Sequence, residues 1–358
     1  MRIQFHRVLA ALLPALICVS GVARAQNYNQ PVSSSSPYGA NADSYYAQNS
    51  GEQYLTGTDD KQSPAPATQS VGNCDSCQDR CECLGDWRAN SLFWAGADAY
   101  KSLGDSAQPP GVATGFMNSA GVVGGFNTGF RLGNSRVRGQ LGASYGIYDL
   151  KGRDTFSTSS SEQQTFVTAG LYKRSDVCND DRISWGAVYD QFFGHQWGLQ
   201  AGEVYLSQFR GIAGYALSES NEVGVWGTVH TNTDNTVTGF ATPLRAMNQA
   251  NVYWRHNYDF GGQTMAYVGG VDRADVGSWL IGVLGQAPLN DSTSIYTNVT
   301  FAFPGSKTGP VGSNELEWNL GAGLMYSWGG KAVSSSVSGQ KGLPLLPVAN
   351  NGSLLITN

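Results

Sequence analysis

Four cysteines fall within one short segment, Cys74, Cys77, Cys81 and Cys83 of CDSCQDRCEC. Two thiol pairs this close can hold one tetrahedral zinc, or close into two disulfides if the chain is exported to an oxidising compartment. With Cys18 set aside in the N-terminal apolar run, Cys178 is a fifth cysteine that leaves an odd count and pairs either with one of the four or with another chain. A second group is cationic. Arg131, Arg136 and Arg138 flank one turn, with Gln140 just beyond, and Arg210 and Arg255 can join them. Asp190, Glu315 and Glu317 are candidate partners. In a pore, a one-sided arginine array selects anions; paired with carboxylates, the same residues form a ladder that stiffens the wall. Catalysis has little to stand on. His195, His230 and His256 are far apart, without a serine at matching spacing. There is no phosphate-binding glycine loop and no H-E-x-x-H. No enzyme activity and no cofactor are expected.

The elements that must position these residues are strands. From Glu315 to Trp328 the even positions read Leu316, Trp318, Leu320, Ala322, Leu324, Tyr326, Trp328, while of the odd positions only Met325 is a sizeable apolar side chain. A period of two gives a ribbon with one apolar and one polar face. From Trp318 to Trp328 is about 33 Å of strand. Tilted by roughly 40°, that is about 25 Å of height, the apolar band of an outer-membrane barrel, with Trp318, Tyr326 and Trp328 as an aromatic girdle. Val137, Leu141, Ala143, Tyr145 and Ile147 alternate with Arg136, Arg138, Gln140, Gly142 and Ser144 in the same way. Similar alternation over 122–132, 183–190, 203–217 and 295–303, and more weakly over 92–101, 164–173, 222–231, 250–258, 263–271 and 278–287, gives about twelve strands. Turn residues between them make consecutive strands antiparallel and hairpin-linked. The hairpin loops look too similar in length to orient the sheet.

The first residues read as an export leader. Arg2 and Arg7 precede an apolar run from Val8 to Val22, and Ala23-Arg24-Ala25 supplies a small-x-small site, with cleavage expected after Ala25. Losing Arg2, Arg7 and Arg24 takes the formal net charge from −5 to −8, and no basic patch suggests nucleic acid. Charged residues make up 14% of the chain against 46 glycines, 9 tryptophans and 17 tyrosines, a composition for glycine- and aromatic-rich β structure. The expected organisation is leader 1–25, low-complexity linker 26–72, Cys-rich knob 73–90, barrel 91–328 and a loose Gly/Ser/Pro tail 329–358.

A soluble β-sandwich would bury its apolar face and wet a charged one; an outer-membrane barrel turns the apolar face to lipid. The polar faces here carry mostly Gly, Ser, Thr, Asn and Gln, which suit a crowded interior. The leader, the Ser/Asn/Gln-rich lead, CDSCQDRCEC followed by Trp87 to Trp94, and the Gly-aromatic strands together resemble a family of exported planctomycete β-barrel proteins of unknown function, over about residues 70–330. That resemblance implies an envelope location and carries no catalytic residues. The reading is all-β: an antiparallel transmembrane barrel of about twelve strands with a disordered N-terminal arm. It would act as a narrow passive pore for small polar or anionic solutes or as an envelope structural protein, with outer-membrane lipid around it and an envelope partner engaged by the arm. The rival is a secreted β-rich binding module anchored by its Cys-rich segment.

Overall fold

The computed structural model describes residues 87–357 except 103–117, 151–160, 199–201, 236–242, 273–277, 304–316, 330–331 and 333. Fifteen strands follow in chain order: β1 (Ser91–Lys101), β2 (Ser119–Arg131), β3 (Arg138–Tyr148), β4 (Glu162–Lys173), β5 (Ile183–Trp197), β6 (Gly202–Ala216), β7 (Asn221–His230), β8 (Thr233–Asp234), β9 (Leu244–Ala246), β10 (Gln249–Asn257), β11 (Gln263–Val271), β12 (Trp279–Pro288), β13 (Thr293–Phe303), β14 (Glu317–Ser327) and β15 (Ile356–Thr357). Twelve of them close an antiparallel barrel in the order β1-β14-β13-β12-β11-β10-β7-β6-β5-β4-β3-β2. Every neighbour in the wall is a sequence neighbour except β7–β10 and the closing pair β1–β14. Because these twelve strands are joined in a ring, the barrel wall has no free backbone edge.

The two-residue period decides which side chains face out. On β2, Val122, Phe126 and Phe130 are exposed while Asn127 is buried; on β6, Tyr205, Phe209 and Tyr215 are exposed while Gln208 and Arg210 are buried. The wall is therefore inside-out relative to a water-soluble protein. Val122, Phe209, Val225, Val252 and Leu324 are each more than half exposed, a continuous apolar exterior that water does not tolerate over such an area. Aromatic residues sit toward both ends of it. Phe93 packs on Trp328 at 5.8 Å between ring centroids at one end, and Trp279 stacks on Phe303 at 4.1 Å at the other.

The two ends differ in their connections. At one end lie the turns 132–137, 174–182, 217–220, 258–262 and 289–292; at the other lie 102–118, 149–161, 231–248 and 304–316, together with the shorter 198–201 and 272–278. This corrects the expectation that loop lengths are too alike to distinguish the ends. The difference was hidden because strand boundaries were blurred over the weaker segments. Gly133 and Gly261 take positive φ (61° and 88°) within two of the tight turns, a conformation in which a side chain is strained.

The segment 334–357 also departs from expectation. It was read as a loose tail. In the structure it re-enters the barrel and runs its length. Val337 N–H bonds Glu219 O in a short turn, and Met247 N–H bonds Leu355 O at the long-loop end. There β15 pairs with β9, Ile356 opposite Ala246, completing a three-stranded sheet β15-β9-β8. Leu345, Leu346, Val348, Leu354, Leu355 and Ile356 are all buried. The hydrophobic core of the molecule is thus lumenal, made of the tail's own apolar side chains and inward residues such as Phe166, Phe192, Leu206 and Trp226.

Candidate functional site in the barrel lumen

An extended chain without helix or ladder brings unpaired carbonyls into the lumen, and each must find a donor. The wall supplies them from side chains. Asn127 Nδ2 and Gln140 Nε2 both donate to Leu346 O, at 2.9 and 2.6 Å. Tyr172 Oη donates to Gly342 O at 2.8 Å, Arg174 Nε to Leu343 O at 2.8 Å and Arg210 Nη2 to Pro347 O at 2.8 Å. Further along, Ala349 N–H donates to Thr168 Oγ1 at 3.0 Å, Asn351 Nδ2 to Gln164 Oε1 at 2.8 Å, and Gln208 and Gln249 to Ser353 O at 3.1 and 3.2 Å. Pro344 and Pro347 have no N–H to satisfy, which suits a wall that mostly donates.

Two ion pairs brace the same wall. Asp190 and Arg210 are both almost fully buried, with Nε–Oδ2 2.9 Å; Thr168 and Gln208 also donate to the Asp190 carboxylate. Glu222 and Arg255 form the second pair at 2.9 Å, with Tyr253 Oη donating to the same carboxylate oxygen at 2.5 Å. Such pairs stabilise little in sum, since desolvation offsets much of the attraction, but removing one partner leaves an uncompensated charge. Arg174, in the turn after β4, is half-buried, and burial lowers its guanidinium to about 10, with Arg255 pushing the same way.

Opposite this wall the lumen is different. On β1, β2, β12, β13 and β14 the inward residues Leu92, Trp94, Val123, Leu284, Tyr296 and Met325 are only partly covered. They line a cavity of ≈ 240 Å³ beside the tail. Small residues keep this side flat: a Cβ built on Gly125 would stand 2.5 Å from Trp94 Cζ2, so any side chain there displaces the indole.

The cationic residues singled out in the sequence do not form one array. Arg138 is buried in the lumen and Arg131 is exposed at the short-turn rim. Arg136 is a correction: it lies outside the lumen, 63% exposed, and bonds Asp181 at 2.8 Å, because it sits in the turn before β3 rather than on its inward face. Lys173 reaches the same carboxylate at 2.7 Å. Burial raises the Asp181 carboxyl, but Lys173 and Arg136 together outweigh that and hold it below its usual value. Gln140, Asp190, Arg210 and Glu317 are buried. Trp318 lies opposite Phe301 on β13, and Tyr326 and Trp328 lie at the short-turn end. Glu315, the leader, the linker and Cys74, Cys77, Cys81 and Cys83 lie outside the described residues. The Glu222 partner of Arg255 was missed, because it depends on β7 pairing with β10 across the intervening β8 and β9. The histidines are held by other groups: His195 by Glu203, His230 by Asn248 at 2.9 Å and His256 by Asn221 at 2.9 Å. Among the described residues none of these pairs includes a serine.

A protein-family model matches residues 90–356, which takes in the wall from β1 onward and the lumenal tail. The chain belongs to the family of unknown function DUF6666. The DUF6666 match thus includes both the barrel and the segment that fills it. No curated protein matches the sequence. Among solved structures, the chain is similar to outer membrane phospholipase A from Escherichia coli, with 10% identity over 66% of this chain and 92% of that one and a TM-score of 0.41. It is also similar to a Pseudomonas aeruginosa FadL homologue, with 11% identity, 66% and 89% coverage and a TM-score of 0.35. A third is a mutant Rh. blastica porin, with 11% identity, 66% and 98% coverage and a TM-score of 0.27.

Proposed function

We propose that this is an outer-membrane barrel whose lumen is closed by its own C-terminal segment, and that it serves the envelope as a structural protein rather than as an open pore or an enzyme. The observation that carries this reading is the passage of residues 334–357 through the barrel, with side chains of the barrel bonded to the main chain at seven places from Gly342 to Ser353. The apolar exterior with aromatic residues toward both ends supports lipid as its surroundings. The short turns then face the periplasm and the longer loops face outward. Solute passage, anionic or otherwise, would require the tail to leave. The leader cut after Ala25 supplies export in this reading. A disulfide from the Cys-rich segment to Cys178, in the 174–182 turn, would tie the arm to the periplasmic end, where it can meet an envelope partner. Non-reducing peptide mass spectrometry tests that anchorage: a disulfide joining Cys178 to the Cys-rich segment supports it, and a free Cys178 thiol counts against it.

The decisive experiment is conductance in a planar bilayer. The full chain is expected to give no stepwise current, whereas a variant ending at Gly329 gives discrete openings. Openings of equal size and frequency in both would defeat the closed-lumen reading.

A further inference from the structure

Toward the short-turn end the tail leaves space beside it, and the part of the wall formed by β1, β12 and β14 is apolar there. Leu92, Trp94, Val123, Leu284 and Met325 line the ≈ 240 Å³ cavity together with Leu345 of the tail. Gln286, Thr297 and Asn298 add polar atoms to a lining that is otherwise mostly apolar, a combination suited to a guest with a hydrocarbon chain and a polar end. The same cavity reaches the short-turn end, where Arg174 and Arg255 also line it. Glu222 is the carboxylate bonded to Arg255, and Arg174 donates only to carbonyl and amide oxygens of Leu343, Pro344 and Gln340. Arg174 and Arg255 thus share one carboxylate at that end, while Asp98, the other carboxyl on the cavity wall, lies toward the long-loop end and is bonded by Tyr148 and Asn319. Arg255 is also under-used. It is 4% exposed, its Nε has no hydrogen-bond partner among the described residues, and its Nη2 has only the Met265 thioether at 3.7 Å. Met265 and Leu284 lie opposite one another on β11 and β12, so the arginine and the apolar wall are contiguous through the register.

We infer that this crevice binds a single-chain alkyl carboxylate, with the hydrocarbon along Leu284, Trp94 and Met325 and the carboxylate at Arg255. The binding does not depend on the tail blocking ion flow, so conductance and ligand occupancy can fail separately. The test uses the full chain in lipid nanodiscs with decanoate carrying a photoreactive diazirine on its alkyl chain, and cross-links mapped by peptide mass spectrometry. Labelling is expected on Leu92, Trp94, Leu284 and Met325. Excess decanoate should remove it, whereas decanol, which has no charge, should compete about tenfold less well, a difference of about 1.4 kcal/mol. Labelling of outward Val252 and Leu324 reports membrane partitioning and is not competed. Filling the crevice with Leu284→Trp should cut lumenal labelling about tenfold, and Met325→Trp repeats the test two strands along the wall, with heat-modifiable gel migration showing that each variant is folded. Labelling confined to the outward face overturns the site. Equal competition by decanol overturns the carboxylate. Undiminished lumenal labelling in both folded tryptophan variants overturns the crevice as its location.

Discussion

The two halves of the lumen wall solve the same geometric problem in opposite ways. The half built from β3 to β7 and β10 presents Gln140, Thr168, Asp190, Gln208, Arg210 and Gln249, all buried under the tail and bonded to it or to one another. In the half built from β12 to β14 and β1, Leu92, Trp94, Leu284 and Met325 toward the short-turn end are only partly covered, while toward the long-loop end Asp98, Thr300 and Asn319 are buried and the tail's Gly352 lies against the last two. A chain without regular structure can only be held where its carbonyls are answered. The polar half therefore fixes the tail, and the apolar part of the other half is left as free volume. Stability should accordingly depend much more on the first than on the second.

The largest effect tests the polar half as a whole. Ending the chain at Gly329 removes the guest of every donor named above and exposes Tyr172, Val188 and Leu206 in the lumen. The truncated barrel should open to ions and lose its heat-modifiable band at a clearly lower temperature; unchanged melting would mean that the tail contributes nothing to the fold. Next comes the buried ion pair. Asp190→Ala leaves Arg210 without its carboxylate at 2% exposure, and should cost about 3–5 kcal/mol, read from urea unfolding in detergent. Leu346→Ala, in the tail segment pressed on the polar half, should cost about 2–5 kcal/mol by leaving a cavity. Leu284→Ala on the apolar half only enlarges an existing space and should fall below that range; equal costs for the two leucines would erase the distinction between the halves. The smallest effect lies outside the lumen. Asp181 is held below its usual value by Lys173 and Arg136, so its contribution is present above the unfolded carboxylate value near pH 4 and is lost as pH falls below it. The pair is at the surface and Arg136 is largely exposed, so Asp181→Asn should cost less than about 1 kcal/mol, and that small cost should vanish in acid.

Much of the wall was legible. The alternation of Val137, Leu141, Tyr145 and Ile147 against Arg138, Gln140 and Ser144, and of Trp318, Leu320 and Leu324 against Glu317 and Asn319, depends only on the pleat, which any strand obeys. Twelve strands and closure followed from repeating it. The tail was not legible by the same means. Residues 343–348 read LPLLPV, with no period of two or of 3.6, and two prolines exclude both helix and central strand. The signal lay in composition instead. Leu343, Leu345, Leu346, Val348, Leu354, Leu355 and Ile356 are too many apolar side chains for a solvated tail. The lumenal ion pairs were half legible. Asp190 and Arg210 were both marked as inward residues, but the partner of Arg255 requires knowing which strand lies beside β10. Arg136 shows the converse failure. Its parity agrees with the inward face, yet the strand has not begun at that residue.

The central claim is that the C-terminal segment lies inside the barrel, and it can be tested with two cysteines. Ala349 N–H bonds Thr168 Oγ1 at 3.0 Å, so Thr168→Cys combined with Ala349→Cys puts two cysteines on neighbouring residues of the lumen, far apart in sequence. In the folded, heat-modifiable form, oxidation should yield an internal bridge between positions 168 and 349, detected by peptide mass spectrometry after denaturation. Two free thiols at those positions, both open to a bulky water-soluble maleimide in the folded protein, would contradict the account.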